Sequence, residues 1–380
     1  MVSDSSNDSP KNSAKDSQNT AVPSPSVEEI KAWLRCTDSV QLEELWLAAD
    51  RLRHERVGDG VHFRGLVELS SYCRRNCLYC GIRASHQLAR YRMTGEEVLD
   101  SARTASMFGY GTIVIQTGED PGVTKDFITD VIKEIKDRFG LAVTLSLGER
   151  TQEEWIAWKE AGADRYLLRF ETSNPRLFRM IHPGVGDTTQ PGDDLPRVAM
   201  LQTLRRIGYE VGSGVMVGLP GQSIDDLAND IDLFRKLDLD MIGCGPYLPH
   251  PATPLGRIAA GDTEAKHQYD FVPAHEPVDN SNSMAFKVIA LTRLACPNAN
   301  IPSTTAIATV DGQAGRMSGL SRGANVIMPN LTPTPYRMLY EIYPNKAAIF
   351  ETAQQTHNLA VCQVKSIGRF LASGPGGRLR

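Results

Sequence analysis

Cys73, Cys77 and Cys80 are the residues whose type and spacing bear most directly on chemistry. They stand as Cys-x3-Cys-x2-Cys in the run from Ser71 to Gly81, SYCRRNCLYCG. Three thiolates on one short loop can ligate three irons of a four-iron, four-sulfur cluster and leave the fourth iron without a protein ligand. Such an iron can bind a small molecule and pass it an electron. Two other readings compete. A structural zinc site wants four ligands, commonly as two Cys pairs, and apart from His86 no further Cys or His lies close by. A disulfide framework would leave one of the three unpaired, and nothing at the N-terminus reads as a secretory signal.

Other polar residues interrupt apolar, strand-like runs. Arg169 and Glu171 lie in RYLLRFET, residues 165–172. Residues two apart in a strand face the same way, and a buried Arg requires a partner. The pair is either an internal salt bridge or an ion pair that also binds a ligand, the Arg fork suiting a carboxylate and the Glu suiting ribose hydroxyls. Thr144 and Ser146 alternate in another run, and Thr304 and Thr305 close a later one. Singly such hydroxyls often satisfy only the backbone; their convergence on one face gives them weight. Gln116, Thr117, Glu119 and Glu149 also stand at the ends of such runs. Gly214, Gly218 and Gly221, with Met216 and Pro220, allow a flat ring to approach the backbone closely. Cys36, Cys244, Cys296 and Cys362 are isolated and read as small buried apolar residues.

The elements that must position these residues alternate. Apolar, β-rich runs occur at 66–70, 112–118, 142–148, 165–172, 211–219, 240–249, 300–307 and 325–330. Helical patterns separate them. Thr94-x-x-Glu97 caps one that ends near Gly109, Ile128, Val131, Ile132 and Ile135 form the buried stripe of the next, and Ser223-x-x-Asp226 opens another. Eight such units predict an α/β fold, a (β/α)8 TIM-type barrel. The alternative is an open doubly wound sheet, but Gly212-x-Gly214-x3-Gly218 misses the dinucleotide spacing and no phosphate-loop Gly-Lys-Ser/Thr occurs. A barrel builds its active site from the loops at the strand C-termini. The cysteine loop directly follows the first strand, so the polar strand ends surround it.

The 380 residues are 41% apolar and 23% charged, with net charge −4, which suits one large α/β domain or two ordinary ones. No run of 18 apolar residues occurs, so no membrane-spanning helix is expected. The mild acidity gives no general attraction to nucleic acid. Free cysteines and an iron–sulfur site fit a reducing cytoplasm. Residues 1–25 are rich in Ser, Asn, Asp and Pro and are expected to form a disordered tail; Asp4, Asp8 and Asp16 without any Arg are unlike a mitochondrial transit peptide. Folding is expected to start at Ser26, where Ser26-Val-Glu-Glu29 is a capping box. The expected organisation is helices over 26–60, the barrel over 61–345, and a helical segment and tail over 346–380. Residues 184–195 and 258–282 interrupt the rhythm as loops, each either a lid or a tolerated surface insertion.

The strings ELSSYCRRNCLYCG, ARYRMTGEE, TIVIQTGEDP, VTLSLGER, EAGADRYLLRFETSNP, GVMVGLPGQS, NIPSTTA, GANVIMPN and TPTPYRMLYEIYP resemble the HydE family. These are radical S-adenosylmethionine (SAM) maturases of FeFe hydrogenase, in the biotin-synthase-like subgroup. The resemblance spans roughly residues 27 to 350. It implies a radical SAM barrel with a 4Fe–4S cluster on Cys73, Cys77 and Cys80. It also implies that Thr117, Gly118 and Glu119 hold the SAM amino group, that Glu171 binds its ribose and Arg197 its carboxylate, and that Tyr79 and Met216 line the adenosyl pocket. Thr144, Ser146, Arg169, Thr304 and Thr305 would bind substrate, with Arg169, Gln116, Tyr340 and Tyr343 as the catalytic candidates. The implied substrate is a small organometallic thiol compound, the cysteine-bound iron carbonyl cyanide complex made by HydG, whose sulfur meets the adenosyl radical. The product would pass to the scaffold HydF. The implied protein is a cytoplasmic monomer with no nucleic-acid or membrane partner. Three departures stand out. Phe170 replaces a His that relatives often carry, only Cys362 lies where some relatives hold an accessory cluster, and the 258–282 segment is longer than expected.

Rival functions share or leave the fold. Biotin synthase needs further cysteines on internal strands, and none lies between Cys80 and Cys244. A methylornithine synthase-like mutase would use acidic residues for a substrate ammonium, whereas Arg169 favours an anion. A non-catalytic iron–sulfur scaffold would need neither Glu171 nor Arg197 near its cluster.

Overall fold

The computed structural model describes residues 24–184, 195–346 and 349–378. The tail expected over 1–25 and the loop expected over 184–195 lie outside these residues except at their margins. Eight strands are described: β1 (Gly60–Ser70), β2 (Thr112–Thr117), β3 (Ala142–Ser146), β4 (Arg165–Leu167), β5 (Glu210–Val217), β6 (Met241–Pro246), β7 (Val326–Ile327) and β8 (Phe370–Leu371). The helices begin with α1 (Val27–Arg35), α2 (Ser39–Val57), α3 (Gly95–Met107), α4 (Lys125–Phe139), α5 (Gln152–Glu160), α6 (Pro175–Ile181) and α7 (Pro196–Ile207). They continue with α8 (Ile224–Lys236), α9 (Pro254–Ala259), α10 (Thr263–Gln268), α11 (Asn282–Ala295), α12 (Thr305–Leu320), α13 (Thr334–Arg337) and α14 (Ala353–Ser366).

The strands form a parallel sheet in the order β6-β5-β4-β3-β2-β1-β7, with β8 beside β1. Single bridges from Met241 to Asn300 and from Pro302 to Val326 join its two edges, so residues 300–302 close the ring. This is the alternating barrel that the eight apolar runs predict. Several runs are shorter than expected, and the eighth, 325–330, keeps only Val326–Ile327 as strand. The fourth strand stops at Leu167 and resumes only as a bridge from Glu171 to Val215, because the Phe170 N–H donates to the Ser213 hydroxyl (3.2 Å) instead of to the ladder; Glu171 then takes a left-handed φ of 66°. The seventh shrinks to its two bridges, because Pro302 has no N–H to donate and the chain turns at once into α12. Thr304 is the N-cap of that helix and Thr305 its first residue, so neither closes a strand.

Local chemistry explains the helix starts. Ser26 with Glu29, Thr94 with Glu97, and Ser223 with Asp226 each form both bonds of a capping box. Ile128, Val131, Ile132 and Ile135 bury the inner face of α4. At the N-terminal ends of the strands, residues 372–378 cross under the barrel. The Pro375 carbonyl accepts from Thr112 Oγ1 (2.8 Å) and Arg165 (2.9 Å), and the Gly376 carbonyl accepts from Arg64 (3.0 Å) and Asn300 (3.1 Å). Among the described residues no helix is long and apolar enough to cross a membrane.

Candidate active site

The cysteine loop leaves β1 at Ser70 and packs against the end of β2. The Gly118 N–H donates to the Ser70 carbonyl (3.0 Å) and the Arg74 N–H to the Glu119 carbonyl (2.9 Å). The two backbones touch at Gly118, where a Cβ would stand 2.2 Å from the Tyr72 oxygen and 2.8 Å from Cys73 Cβ. Arg90 fixes the loop from behind by donating to the carbonyls of Ser71, Ile82, Arg83 and His86 at 2.5–3.0 Å. On the far side the Gly81 N–H reaches the Ile342 carbonyl (2.9 Å), in the segment after α13.

Cys73, Cys77 and Cys80 all open onto one cavity of about 350 Å³ at the C-terminal ends of the strands. Burial pushes all three thiols up, Cys77 to about 12, and the neighbouring cysteines push Cys77 and Cys80 further. Without metal they therefore stay protonated at neutral pH, and cation binding must release protons. Three free thiols facing one cavity, a glycine where a side chain would fill the space beside Cys73, and a buried Thr117 hydroxyl with no partner among the described residues fit a three-cysteine cluster with one open iron.

A charged network backs the loop. Arg75 donates to Glu119 (2.6 Å) and to Glu149 (2.6 Å), and Glu149 accepts from Arg197 Nε (2.9 Å). Arg197 Nη1 donates to the Arg169 carbonyl (2.7 Å) and lies 3.1 Å from His182 Nε2. The same His182 nitrogen lies 3.0 Å from the Tyr79 hydroxyl. Burial, then the Arg197 charge, holds His182 well below the usual imidazole range, so it is neutral. Its Nδ1 faces the Phe178 carbonyl (3.2 Å), which leaves Nε2 as the acceptor for Tyr79 and Arg197.

Across the cavity Arg169 grips Glu171 with two bonds of 2.8 and 3.0 Å. The expected pair exists, brought about by the left-handed turn at Glu171 rather than by strand alternation. Gln116 donates to the Tyr340 hydroxyl (3.2 Å). Thr304 is buried, and among the described residues its hydroxyl makes neither the usual capping bond nor any other. Thr117, Gly118, Glu119, Ser146 and Met216 also line the cavity, as do Thr305 and Tyr343. Thr144 does not. It is buried in β3 away from the wall, which corrects its expected place beside Ser146.

Several wall residues escaped the sequence. Glu68, in β1, forms a buried ion pair with Lys346 and accepts from Asn330 (3.1 Å). Lys346 also donates to the Tyr340 carbonyl (3.2 Å). Glu68 carries the same signal as Arg169, a charge inside an apolar strand. Lys346 and His182 carry none, because their partners lie 278 and 103 residues away.

Known proteins resemble this chain in sequence and in fold. Residues 67–234 match the Radical SAM superfamily. The chain is 46% identical to the FeFe hydrogenase maturase subunit HydE of Thermotoga maritima, over 93% of this chain and 94% of that one. It is 25% identical to 3-methylornithine synthase of Methanosarcina acetivorans, over 79% of this chain and 78% of the other. A crystal structure of methylornithine synthase superposes with a TM-score of 0.73 at 22% identity, covering 92% of this chain and 95% of that one, which speaks for the fold alone.

Proposed function

Because this chain belongs to the radical SAM superfamily and, within it, to the HydE-type maturases of FeFe hydrogenase, we propose that its cavity binds SAM beside a 4Fe–4S cluster and acts on a cysteine-ligated iron carbonyl cyanide complex. The observation that carries this is the meeting of Cys73, Cys77 and Cys80 with Glu119, Glu171, Arg197 and Met216 on one cavity wall. When bound there, the cluster and SAM would supply a 5′-deoxyadenosyl radical.

The chain's own residues bind and orient. Cys73, Cys77 and Cys80 would hold the cluster, and Gly118 lets β2 approach it. The unpartnered Thr117 hydroxyl is the acceptor this strand end offers an ammonium. Arg197, kept charged within its network, offers a cation to a carboxylate. Glu171 keeps acceptor capacity beyond the two N–H groups of Arg169, because each carboxylate oxygen has two lone pairs. Toward the substrate, the free Thr304 hydroxyl and Thr305 at the start of α12 favour an anionic group, helped by the helix dipole. Burial, then the Glu68 charge, pushes the Tyr340 phenol well above its ordinary range, so it stays protonated. With Gln116 donating to its oxygen, its own proton remains for a ligand.

The 46% identity to the maturase against 25% to methylornithine synthase favours the maturase reading. HydG as supplier of the substrate and HydF as acceptor of the product belong to the same proposal, as does a monomeric, cytoplasmic protein. The test is anaerobic reconstitution with iron and sulfide, followed by dithionite and SAM, with and without the HydG-derived complex. An adenosylated iron product that forms only with the complex supports the proposal. Deoxyadenosine at equal rates with and without it counts against this substrate. No SAM cleavage by a fully loaded protein overturns the enzymatic reading in favour of a scaffold.

A further inference from the structure

Glu171 holds a left-handed φ of 66° without being glycine. Such a conformation costs about 1–3 kcal/mol and persists only where the surroundings over-determine it. Two carboxylates of α8 provide that restraint. The Ser173 N–H donates to Asp230 Oδ1 (2.5 Å), and Asn174 Nδ2 donates to Asp226 Oδ1 (3.0 Å). The other oxygen of Asp230 accepts from Gln222 Nε2 (3.3 Å).

Gln222 in turn grips the loop after β5 at three points. Its Oε1 accepts from the N–H groups of Gly218 (2.8 Å) and Leu219 (3.3 Å), and its Nε2 donates to the Met216 carbonyl (3.1 Å). Asp230 and Gln222 are both fully buried. Among the described residues no Arg, Lys or His forms an ion pair with Asp230. A buried carboxylate without a cation is unfavourable, and a neutral side chain would fill the site with less penalty. Both oxygens of Asp230 are committed to segments that carry cavity residues, Glu171 on one side and Met216 on the other. The direct bond from the Glu171 N–H to the Gly214 carbonyl (3.1 Å) ties the strands together below this point but leaves the 216–222 loop to Gln222.

We propose that Asp230 is a positioning residue of the SAM site, locking the turn that presents Glu171 to the loop that presents Met216. Ribose and adenine then meet one preset surface instead of two independently moving loops. This rests on the assignment of the cavity to SAM made above.

Two variants test it. Asp230→Asn keeps an acceptor for Ser173 but turns an amide donor toward Gln222 Nε2. Gln222→Ala releases the loop and leaves the Ser173 bond intact. SAM affinity is measured by equilibrium dialysis on the reconstituted, unreduced protein, where no turnover occurs. Each variant should raise the Kd about tenfold. Iron content should match the wild type, and the melting temperature of Asp230→Asn should be unchanged or higher when measured above pH 7, because burial pushes Asp230 up to about 7 and above that pH a buried charge has been removed. In metal-free protein, amide exchange at Gly218 and Leu219 should quicken in both variants, while exchange at Ser173, whose acceptor is kept in both, should stay near the wild-type rate. Wild-type SAM affinity in both folded variants would overturn the proposal, as would a loss of affinity matched by an equal loss of iron. A wild-type protein that fails to bind SAM would instead sink the assignment of the cavity, and this proposal with it.

Discussion

Replacing Gly118 with alanine should dislodge the cysteine loop while leaving the barrel folded. The new methyl would lie 2.2 Å from the Tyr72 carbonyl oxygen and 2.8 Å from Cys73 Cβ, where real contacts are not shorter than 3.0 Å. Something must move by about 1 Å, and overpacking of this kind costs about 1–3 kcal/mol. The strand behind Gly118 is pinned between β1 and β3 from Thr112 to Gln116, and Thr117 still pairs with β1. The cysteine loop is therefore the part that yields, and it takes Cys73 out of register with Cys77 and Cys80. Gly95→Ala is the control, because its Cβ would meet only Phe127 and Val131 at 3.8–3.9 Å, ordinary contact distances. Both proteins are reconstituted anaerobically and assayed for iron, sulfide, cluster absorbance and deoxyadenosine, with melting curves of the metal-free forms alongside. Gly118→Ala should lose most of its iron with only a few degrees lost in melting temperature, while Gly95→Ala should match the wild type. A Gly118→Ala protein that loads iron fully and cleaves SAM at the normal rate would refute the packing of the cysteine loop on β2 as the determinant of the cluster site.

Three further outcomes follow from other parts of the molecule. Cys77→Ala should abolish deoxyadenosine formation, since the cluster loses one of three ligands; retained production would remove Cys77 from the ligand set. Lys346→Met strands the Glu68 carboxylate, whose side chain is 2% exposed, and breaking a buried pair costs about 3–5 kcal/mol. Denaturant unfolding should show that loss and its recovery in Glu68→Leu/Lys346→Met, and a single variant as stable as the wild type would contradict it. His62 lies above the C-terminal segment; burial, then Arg64, Arg165 and Arg369, lowers its pKa from 6.5 to about 4. The unfolded chain takes up that proton near pH 6.5 and the folded protein only near 4. Stability is therefore complete above pH 6.5 and falls as the pH drops through that window, by about 1.4 kcal/mol per unit. His62→Gln should flatten that fall in urea titrations, and an unchanged slope would show that His62 is not its source.

The sequence exposes the parts of this site that rest on local rules. Capping boxes at Ser26, Thr94 and Ser223 mark helix starts within a few residues, and the apolar runs mark the strands, because both signals are written in neighbouring positions. Polar residues at strand ends are legible for the same reason: a barrel has one functional end, so Gln116, Ser146 and Arg169 could be placed there without knowing what they touch. Thr144 fails that rule, since it shares a strand face with Ser146 but not the cavity that Ser146 lines. Glu171 is legible as a partner of Arg169 but not as a strained turn, because its φ is imposed by Asp230 and Asp226 from a helix more than fifty residues onward. Lys346 and His182 are invisible because their roles exist only once distant segments meet.

Those distant meetings give the site its logic. Lys346 and Tyr340 belong to the segment after α13, which lies against the cavity rather than within the barrel wall. Its attachments include Lys346 to Glu68 on β1, the Tyr340 hydroxyl to Gln116 on β2, and the Ile342 carbonyl to the Gly81 N–H just after Cys80. Gly81 itself has no room for a side chain, since a Cβ would stand 2.1 Å from the Glu341 carbonyl oxygen. The cavity wall carrying Tyr340 and the loop carrying the cysteines are thus in backbone contact. A ligand that displaces Tyr340 must strain the peptide next to Cys80, and a cluster that shifts Cys80 must move Tyr340. Insertion of a cluster on the cysteines should therefore be felt at Tyr340 and the cavity wall it forms. The coupling makes a definite demand: amide exchange at Ile342 and Tyr343 should slow when the cluster is inserted, even with no substrate present.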